Sequence, residues 1–169
     1  MFTRRARIAV MTVAAALGTW RWWTGDPTGA WFLVAAALLA YGHFRYGTVW
    51  LAFRALRKGD VDRAGSFLNQ VARPGMLSPE SRAYYFMVFG LVAASRGQLG
   101  EAESALRKAL ALPLRTENDR ALVEVALAEL LVTSTSPNEA RELLALAAGR
   151  ATKPVVSKEV ERVTALLGT

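Results

Sequence analysis

The sequence predicts an all-α protein, with an N-terminal two-helix transmembrane hairpin followed by a short helical solenoid. Two observations carry this prediction. First, two uncharged and largely apolar runs, residues 8–20 and 30–44, flank a segment rich in turn-forming residues. Second, small and large apolar residues recur every 38 residues, as at positions 64, 102 and 140. A fixed period of this size is typical of a stacked array of helical units.

Charge is distributed unevenly along the 169 residues, whose net charge is +7. Residues 1–58 hold eight basic residues and one acidic residue, whereas residues 59–169 hold thirteen of each. A nucleic-acid-binding domain should carry a basic face on its folded part. Basic residues at the ends of apolar segments are instead typical of membrane proteins. The sequence therefore argues against a nucleic-acid partner, and the absence of cysteine excludes disulfides and thiolate chemistry.

The ends of the two apolar runs carry the residue types that membrane proteins place at the bilayer interface. Tryptophans cluster around the turn, and basic residues lie at both outer ends. The positive-inside rule then predicts an inner or cytoplasmic membrane protein, with residues 1–44 as a hairpin in the lipid bilayer. Both termini and the repeats would be cytoplasmic. The residues assigned to the membrane interface are Arg4, Arg5, Arg7, Trp20, Trp22, Trp23, Trp31, Tyr41 and Arg45.

Two alternatives to a membrane hairpin stay open, because each run is shorter than the ~20 residues that cross a bilayer comfortably. A cleaved signal peptide would use Arg4 and Arg5 as its basic region and residues 14–16 as its cleavage site, which leaves the second run unexplained. A soluble protein could instead bury both runs in its own core. Whether the first run is retained in the mature chain is left undecided.

Capping residues predict where the later helices begin. Asp60 or Asp62 would start the second helix of the first repeat, where a carboxylate offsets the helix dipole. Ser78 is a simple N-cap that is followed by proline at the first helical position. Asn118 and Asp119 are good N-cap residues for the first helix of the third repeat.

The central repeat, residues 83–114, is predicted to be two amphipathic helices joined at residues 96–100. Small residues lie where the two helix backbones would touch, and large apolar residues fill the space between them. A shift of 38 residues along the sequence superposes Ala64, Ala102 and Ala140, then Leu68, Leu106 and Leu144, then Val71, Ala109 and Ala147, and the turn residues Gly59 and Gly97. This pattern resembles the tetratricopeptide (TPR) family, although the period is longer than is usual there.

The resemblance implies three TPR-like repeats over residues 45–155, with residues 156–169 as a C-terminal capping helix. In that family the first helix of each repeat lines a concave groove. An apolar groove suits an amphipathic helix or an extended apolar segment of a partner protein. Several of these side chains could instead be core, or be covered by the chain's own last helix. The groove positions implied by the register are Tyr46, Val49, Phe53, Tyr84, Met87, Leu91, Leu122, Val125 and Glu129.

The sequence offers little for catalysis. His43 is the only histidine, so a catalytic triad or a multi-histidine metal site would have to form around this one residue. We therefore predict no enzyme activity, no catalytic residues, no metal and no cofactor. An alternative role for His43 is axial ligation of a haem or a chlorophyll through a neutral imidazole nitrogen.

These features together predict a membrane-anchored TPR-like scaffold or assembly factor. It would hold one or more partner proteins at the cytoplasmic membrane face, and tethering would raise the partner's effective concentration there. The alternative is a permanent accessory or structural subunit of a larger membrane protein complex, in which His43 contacts a haem or chlorophyll. The step from a repeat fold to either role is an analogy.

Overall fold

The computed structural model describes residues 4–46, 48–133 and 136–167. Over these residues the chain is all-α, without a strand, and it divides into two units, Met1–Gly47 and Thr48–Thr169. The prediction of an all-α, repeat-like fold is confirmed. The helices are α1 (Arg4–Trp23), α2 (Gly29–Tyr46), α3 (Val49–Leu56), α4 (Val61–Leu68), α5 (Pro79–Ser95), α6 (Leu99–Leu110), α7 (Glu117–Thr133), α8 (Pro137–Arg150) and α9 (Pro154–Leu167), with a short 3-10 turn at Pro74–Met76.

The first unit is the hairpin of α1 and α2. Its two backbones are close together at glycine: a Cβ atom added to Gly29 would lie 2.7 Å from the Gly18 carbonyl oxygen. At the turn, Arg21 forms an ion pair with Asp26 at 2.5 Å, and the Thr28 amide donates to the same carboxylate at 2.9 Å. The hydrogen bonds from Thr28, together with that from Arg21, lower the pKa of Asp26 to about 2. The predicted turn between two apolar helices is therefore present.

The predicted transmembrane hairpin is wrong. Among the residues that the structure describes, no helix combines enough length with enough apolar character to cross a membrane. In α1, arginines occupy the start and Arg21 the last turn, so the uncharged residues 8–20 would rise only about 20 Å. A bilayer core is ~30 Å thick. The 18 residues of α2 end in a polar and aromatic segment. The predicted membrane location and orientation depended on spanning helices, so they are not supported.

The second unit is a row of three helix pairs, α3–α4, α5–α6 and α7–α8, completed by α9. The helices of each pair pack on one another, and each following pair packs on the one before it. The last helix packs against both α7 and α8, as α5 packs against both α3 and α4. Because α5, α7 and α9 begin at residues 79, 117 and 154, α9 occupies the place of the first helix of a fourth pair.

The turns within the first two pairs have the same backbone conformation. Gly59 and Gly97 have φ angles of +79° and +75°, a left-handed region that is costly for residues with a Cβ atom. In both turns the amide that follows the glycine donates to an alanine carbonyl of the preceding helix, Ala55 at 3.1 Å and Ala93 at 3.0 Å. The hydrogen-bonding pattern therefore recurs with the interval that the sequence predicted.

The recurring apolar positions form the core between the helices. Positions occupied by alanine in all three copies are fully buried, and the leucines that follow are at most 4% exposed. In the third set, Val71 is half-buried and the two alanines are fully buried. The positions are Ala64, Ala102 and Ala140, then Leu68, Leu106 and Leu144, then Val71, Ala109 and Ala147.

The predicted caps are confirmed in the first two repeats and differ in the third. The side chain of Asp60 accepts from the Arg63 amide at 3.0 Å, and Ser78 Oγ accepts from the amide of Ser81 at 3.2 Å. In α7, Thr116 Oγ1 accepts from the Asp119 amide at 3.1 Å, so the helix begins before the predicted cap.

The closest contact inside a pair predicts the effect of a single methyl group. A Cβ atom added to Gly90 of α5 would lie 2.8 Å from Cγ of Leu106, which is fully buried, and 3.2 Å from the Ala102 carbonyl oxygen. Gly90→Ala should therefore lower the free energy of unfolding by about 1–2 kcal/mol, measured by urea denaturation, because an overpacked core must shift. Gly149→Ala is the matched control, since nothing lies within 4 Å of its added Cβ. Equal effects of the two substitutions would contradict close packing at Gly90.

Candidate functional site

The predicted groove positions divide into buried and half-exposed side chains. Val49, Tyr84, Met87 and Val125 are at most 2% exposed and belong to the main core cluster. Half-buried are Phe53, Leu91, Leu122 and Glu129, whereas the Tyr46 side chain lies outside the part that the structure describes. The buried four cannot contact a partner without a rearrangement of the core. The role of the others in binding stays a prediction.

At the far end of this face, α9 contacts the predicted groove position Glu129. The guanidinium of Arg162 donates to Glu129 at 2.8 Å and to Glu159 at 2.7 Å. Val160 and Val163 of the same helix are buried in the core. The chain's own last helix therefore packs over this part of α7, which was one of the alternatives left open by the sequence.

Three aromatic rings join the first two helix pairs. Trp50 and Phe53 of α3 pack against Tyr84 of α5, with ring centroids 4.6 and 5.0 Å from that of Tyr84. The Tyr84 hydroxyl donates to Asp119 of α7 at 2.5 Å and accepts from the Arg115 amide at 3.3 Å. Burial, together with the Asp119 carboxylate, raises the pKa of Tyr84 above its ordinary value. One buried tyrosine thus links the three pairs.

The Tyr84 hydroxyl should contribute measurably to stability. Tyr84→Phe leaves the ring in place but removes a hydrogen bond to a charged group, so the free energy of unfolding should fall by about 1.5–3 kcal/mol. Tyr85→Phe is the control, because this half-buried neighbour makes no hydroxyl hydrogen bond to the residues that the structure describes. Thermal or urea denaturation of both variants tests the expectation, which fails if Tyr85→Phe costs as much as Tyr84→Phe.

The outer side of the aromatic cluster borders an open cavity of about 500 Å³. The two rings of α3 are half-buried, so each is covered on one side by the protein and accessible on the other, while the cationic side chains around them are exposed. Spacings of three and four residues place the first three of these side chains along one face of α3, and the other two follow in the turn at its C-terminal end. The residues that line the cavity are Trp50, Phe53, Arg54, Arg57 and Lys58.

Only Phe53 of this cavity was among the predicted groove positions. The sequence does contain a signal for the others: aromatic and basic residues recur at helical spacing on α3, and Val49, Ala52 and Ala55 form the buried face opposite. The register of a repeat family assigns only the positions that face the groove, so it does not include these side chains. The cavity is lined by side chains that lie beside the groove-facing positions, on α3 and in the turn that follows it.

A second feature missed by the sequence analysis is a buried carboxylate in α7. Glu124 is 3% exposed, and its Oε1 atom accepts a hydrogen bond from Arg150, at the end of α8. Arg120 lies one turn earlier on α7, with Nε 3.7 Å from the same oxygen. Oε2 is buried without a hydrogen-bond partner in the described residues. A glutamate between Val123 and Val125 gives no sequence signal that distinguishes a buried ion pair from an exposed one.

Removal of one partner from this buried pair should be costly. Arg150→Met would leave the buried Glu124 carboxylate with only the more distant Arg120, and it would also remove the ion pair of Arg150 with the exposed Glu117 at 3.1 Å. The free energy of unfolding at pH 7 should therefore fall by about 3 kcal/mol. The double variant Glu124→Leu with Arg150→Met removes both charges, and it should recover most of this loss. Denaturation of both single variants and the double variant completes the cycle. Additive losses would show that the two side chains are not coupled.

The hairpin carries a large exposed apolar surface. Thirteen of its large apolar side chains are between 37 and 88% exposed, which includes every tryptophan predicted at a membrane interface. The side chains of Arg4, Arg5, Arg7, His43 and Arg45 lie outside the described residues. The exposed residues are Val10, Val13, Leu17, Trp20, Trp22, Trp23, Trp31, Phe32, Leu33, Val34, Leu38, Leu39 and Tyr41.

Within residues 4–46, 48–133 and 136–167, no three or more His, Asp or Glu residues are grouped so that they could hold a metal ion. Comparisons with protein-family models, curated proteins and solved structures found no match. The resemblance to tetratricopeptide repeats therefore stays a prediction, supported by the residues and by the recurring helix pairs.

Proposed function

We propose that the chain is a non-catalytic, TPR-like interaction scaffold that holds a segment of a partner protein against the outer face of α3. The observation that supports this proposal is the open cavity of about 500 Å³ beside Trp50 and Phe53. Half-exposed aromatic rings that a partner can cover contribute much of the free energy in protein interfaces. Arginine at the rim adds orientation and specificity.

The packing behind the rings suits such a site. Trp50 and Phe53 rest on Tyr84, whose hydroxyl is held by Asp119. Rings fixed from behind lose little conformational entropy when a partner covers them, so more of the contact energy appears as affinity. The site would therefore be preorganised before the partner binds.

A second candidate function is that of a structural subunit in a larger protein assembly, with apolar helices of its neighbours packed on the hairpin. The observation that favours it is the exposure of Trp20, Trp22, Trp23 and Trp31, each more than 60% exposed. Monomeric proteins rarely expose contiguous apolar patches beyond about 300–600 Å². The two functions are compatible, because a chain with two binding surfaces raises the effective concentration of one partner near the other.

Site-specific photo-crosslinking of the full chain in its native cells separates the two functions. A photo-reactive residue would be placed at Arg57 in the α3 cavity, at Trp23 on the hairpin, or at Glu142, an exposed position on α8 that serves as background. A scaffold should yield a discrete partner from position 57, identified by mass spectrometry and absent from position 142. The second substitution Arg54→Glu, in the same cavity, should abolish this product.

A structural subunit should instead give its main product from position 23, unchanged by Arg54→Glu. If position 57 yields no product above the background of position 142, the scaffold proposal is wrong. If position 23 is equally silent, the structural-subunit candidate is wrong as well.

A further inference from the structure

We infer that the cavity on α3 recognises an acidic segment of its partner, in which an apolar side chain is followed or preceded by carboxylates. This inference rests on the proposed scaffold function and adds the chemistry of the segment that is bound. It follows from the charges around the cavity, from their spacing and from the rings that they border.

Within the part of the chain that the structure describes, the cations at the cavity have no carboxylate partner. Arg54, Arg57 and Lys58 line it, and the guanidinium of Arg115 lies 5.2 Å from the ring centre of Trp50. None of the four forms an ion pair with a carboxylate in the ranges that the structure describes. Residues 59–169 carry equal numbers of acidic and basic residues, so Arg54, Arg57 and Lys58 account for the net positive charge of the repeat unit. Charge complementarity then favours an anionic partner.

Two arginines elsewhere in the repeat unit behave differently. Arg107 binds both Glu103 and Glu139, at 2.9 and 2.6 Å, and Arg162 binds both Glu129 and Glu159. Their carboxylate partners satisfy the guanidinium groups within the fold. Two of the cavity cations contact aromatic rings instead, Arg57 over Phe53 at 5.9 Å and Arg115 over Trp50 at 5.2 Å. A guanidinium held near a ring keeps N–H groups available for a carboxylate from another molecule.

The spacing of the cations indicates the form of the segment. Residues three apart on a helix lie about 5–6 Å from one another, which applies to Arg54 and to Arg57, whose backbone at the C-cap of α3 is still helical. In an extended chain, alternate residues lie about 6.6 Å apart on the same side. Carboxylates at alternate positions of an extended segment therefore match the cations, with an apolar side chain placed over Trp50 and Phe53.

Two blocked peptides test the inference with the full-length protein: Phe-Ser-Glu-Ser-Glu and its reverse, each acetylated and amidated so that no terminal charge remains. Binding would be followed by the indole N–H signal of Trp50 in NMR spectra, with the other four tryptophans as internal references. At least one peptide should shift the Trp50 signal selectively. Replacement of both glutamates by glutamine should weaken binding about tenfold, as should a rise in ionic strength that screens the charges.

Charge reversal supplies the matched variants. Arg57→Glu should weaken peptide binding about tenfold or more. Lys108→Glu is the control and should leave binding unchanged within about twofold, since Lys108 also lies over a ring, that of Phe86 at 5.7 Å, but borders a different cavity. Equal affinity for the glutamate and glutamine peptides, or equal loss in both variants, would overturn the inference. So would selective shifts of Trp50 by single-stranded oligo(dT) or by phosphatidylglycerol vesicles but not by either peptide.

These outcomes are distinct from those that test the scaffold itself. A partner captured at position 57 whose contact segment lacks acidic residues would reject the acidic segment and keep the scaffold. Failure to capture any partner there would reject the scaffold, whatever the peptides do.

Discussion

Close contact between helices at small residues is the constraint on which the repeat unit depends. Gly90 brings α5 against α6 so tightly that a single added methyl group would meet the Leu106 side chain and the Ala102 backbone. The second helix of each pair carries a fully buried alanine at the same repeat position, namely Ala64, Ala102 and Ala140. Small residues therefore recur at the helix contacts along the row. Because the two helices of a pair are held this close, the first helix of the following pair can pack on both of them. The last helix, α9, packs on α7 and α8 in the same way, although no second helix follows it in the described residues.

This dependence explains why the repeat unit was largely predictable from sequence. Its sequence signals are local: small residues at a constant interval, glycines in the turns, and caps such as Asp60 and Ser78. Each of these signals corresponds to one physical requirement of the fold. The third cap was less predictable, because Thr116, Asn118 and Asp119 are all good N-cap residues. Tertiary contacts decide between them: Asp119 accepts from Tyr84, while Asn118 holds the amides of residues 152 and 153 at 3.1 and 3.0 Å.

The candidate site was less predictable than the fold. Register within a repeat family pointed to Tyr84 and Met87, yet helical spacing alone cannot tell a side chain that lines a groove from one that fills the core. The structure buries both and leaves accessible the adjoining stripe of α3, with its rings and uncompensated cations. For the hairpin, composition suggested a membrane span. The prediction failed on length and on the polar residues within the helices. The short length of both apolar runs was already visible in the sequence, and the flanking tryptophans and basic residues could not compensate for it.

The ion pair between Glu124 and Arg150 has a further consequence for how α8 finds its place on α7. A slip of one turn would bring Leu144 of α8 to the place of the fully buried Ala140, and it would move Arg150 away from Glu124. Such a slip would also strand the glutamate charge among valines, at a cost of several kcal/mol. We therefore expect the pair to discriminate against misaligned packing, so that one polar contact reinforces the alignment that the small and large apolar side chains favour.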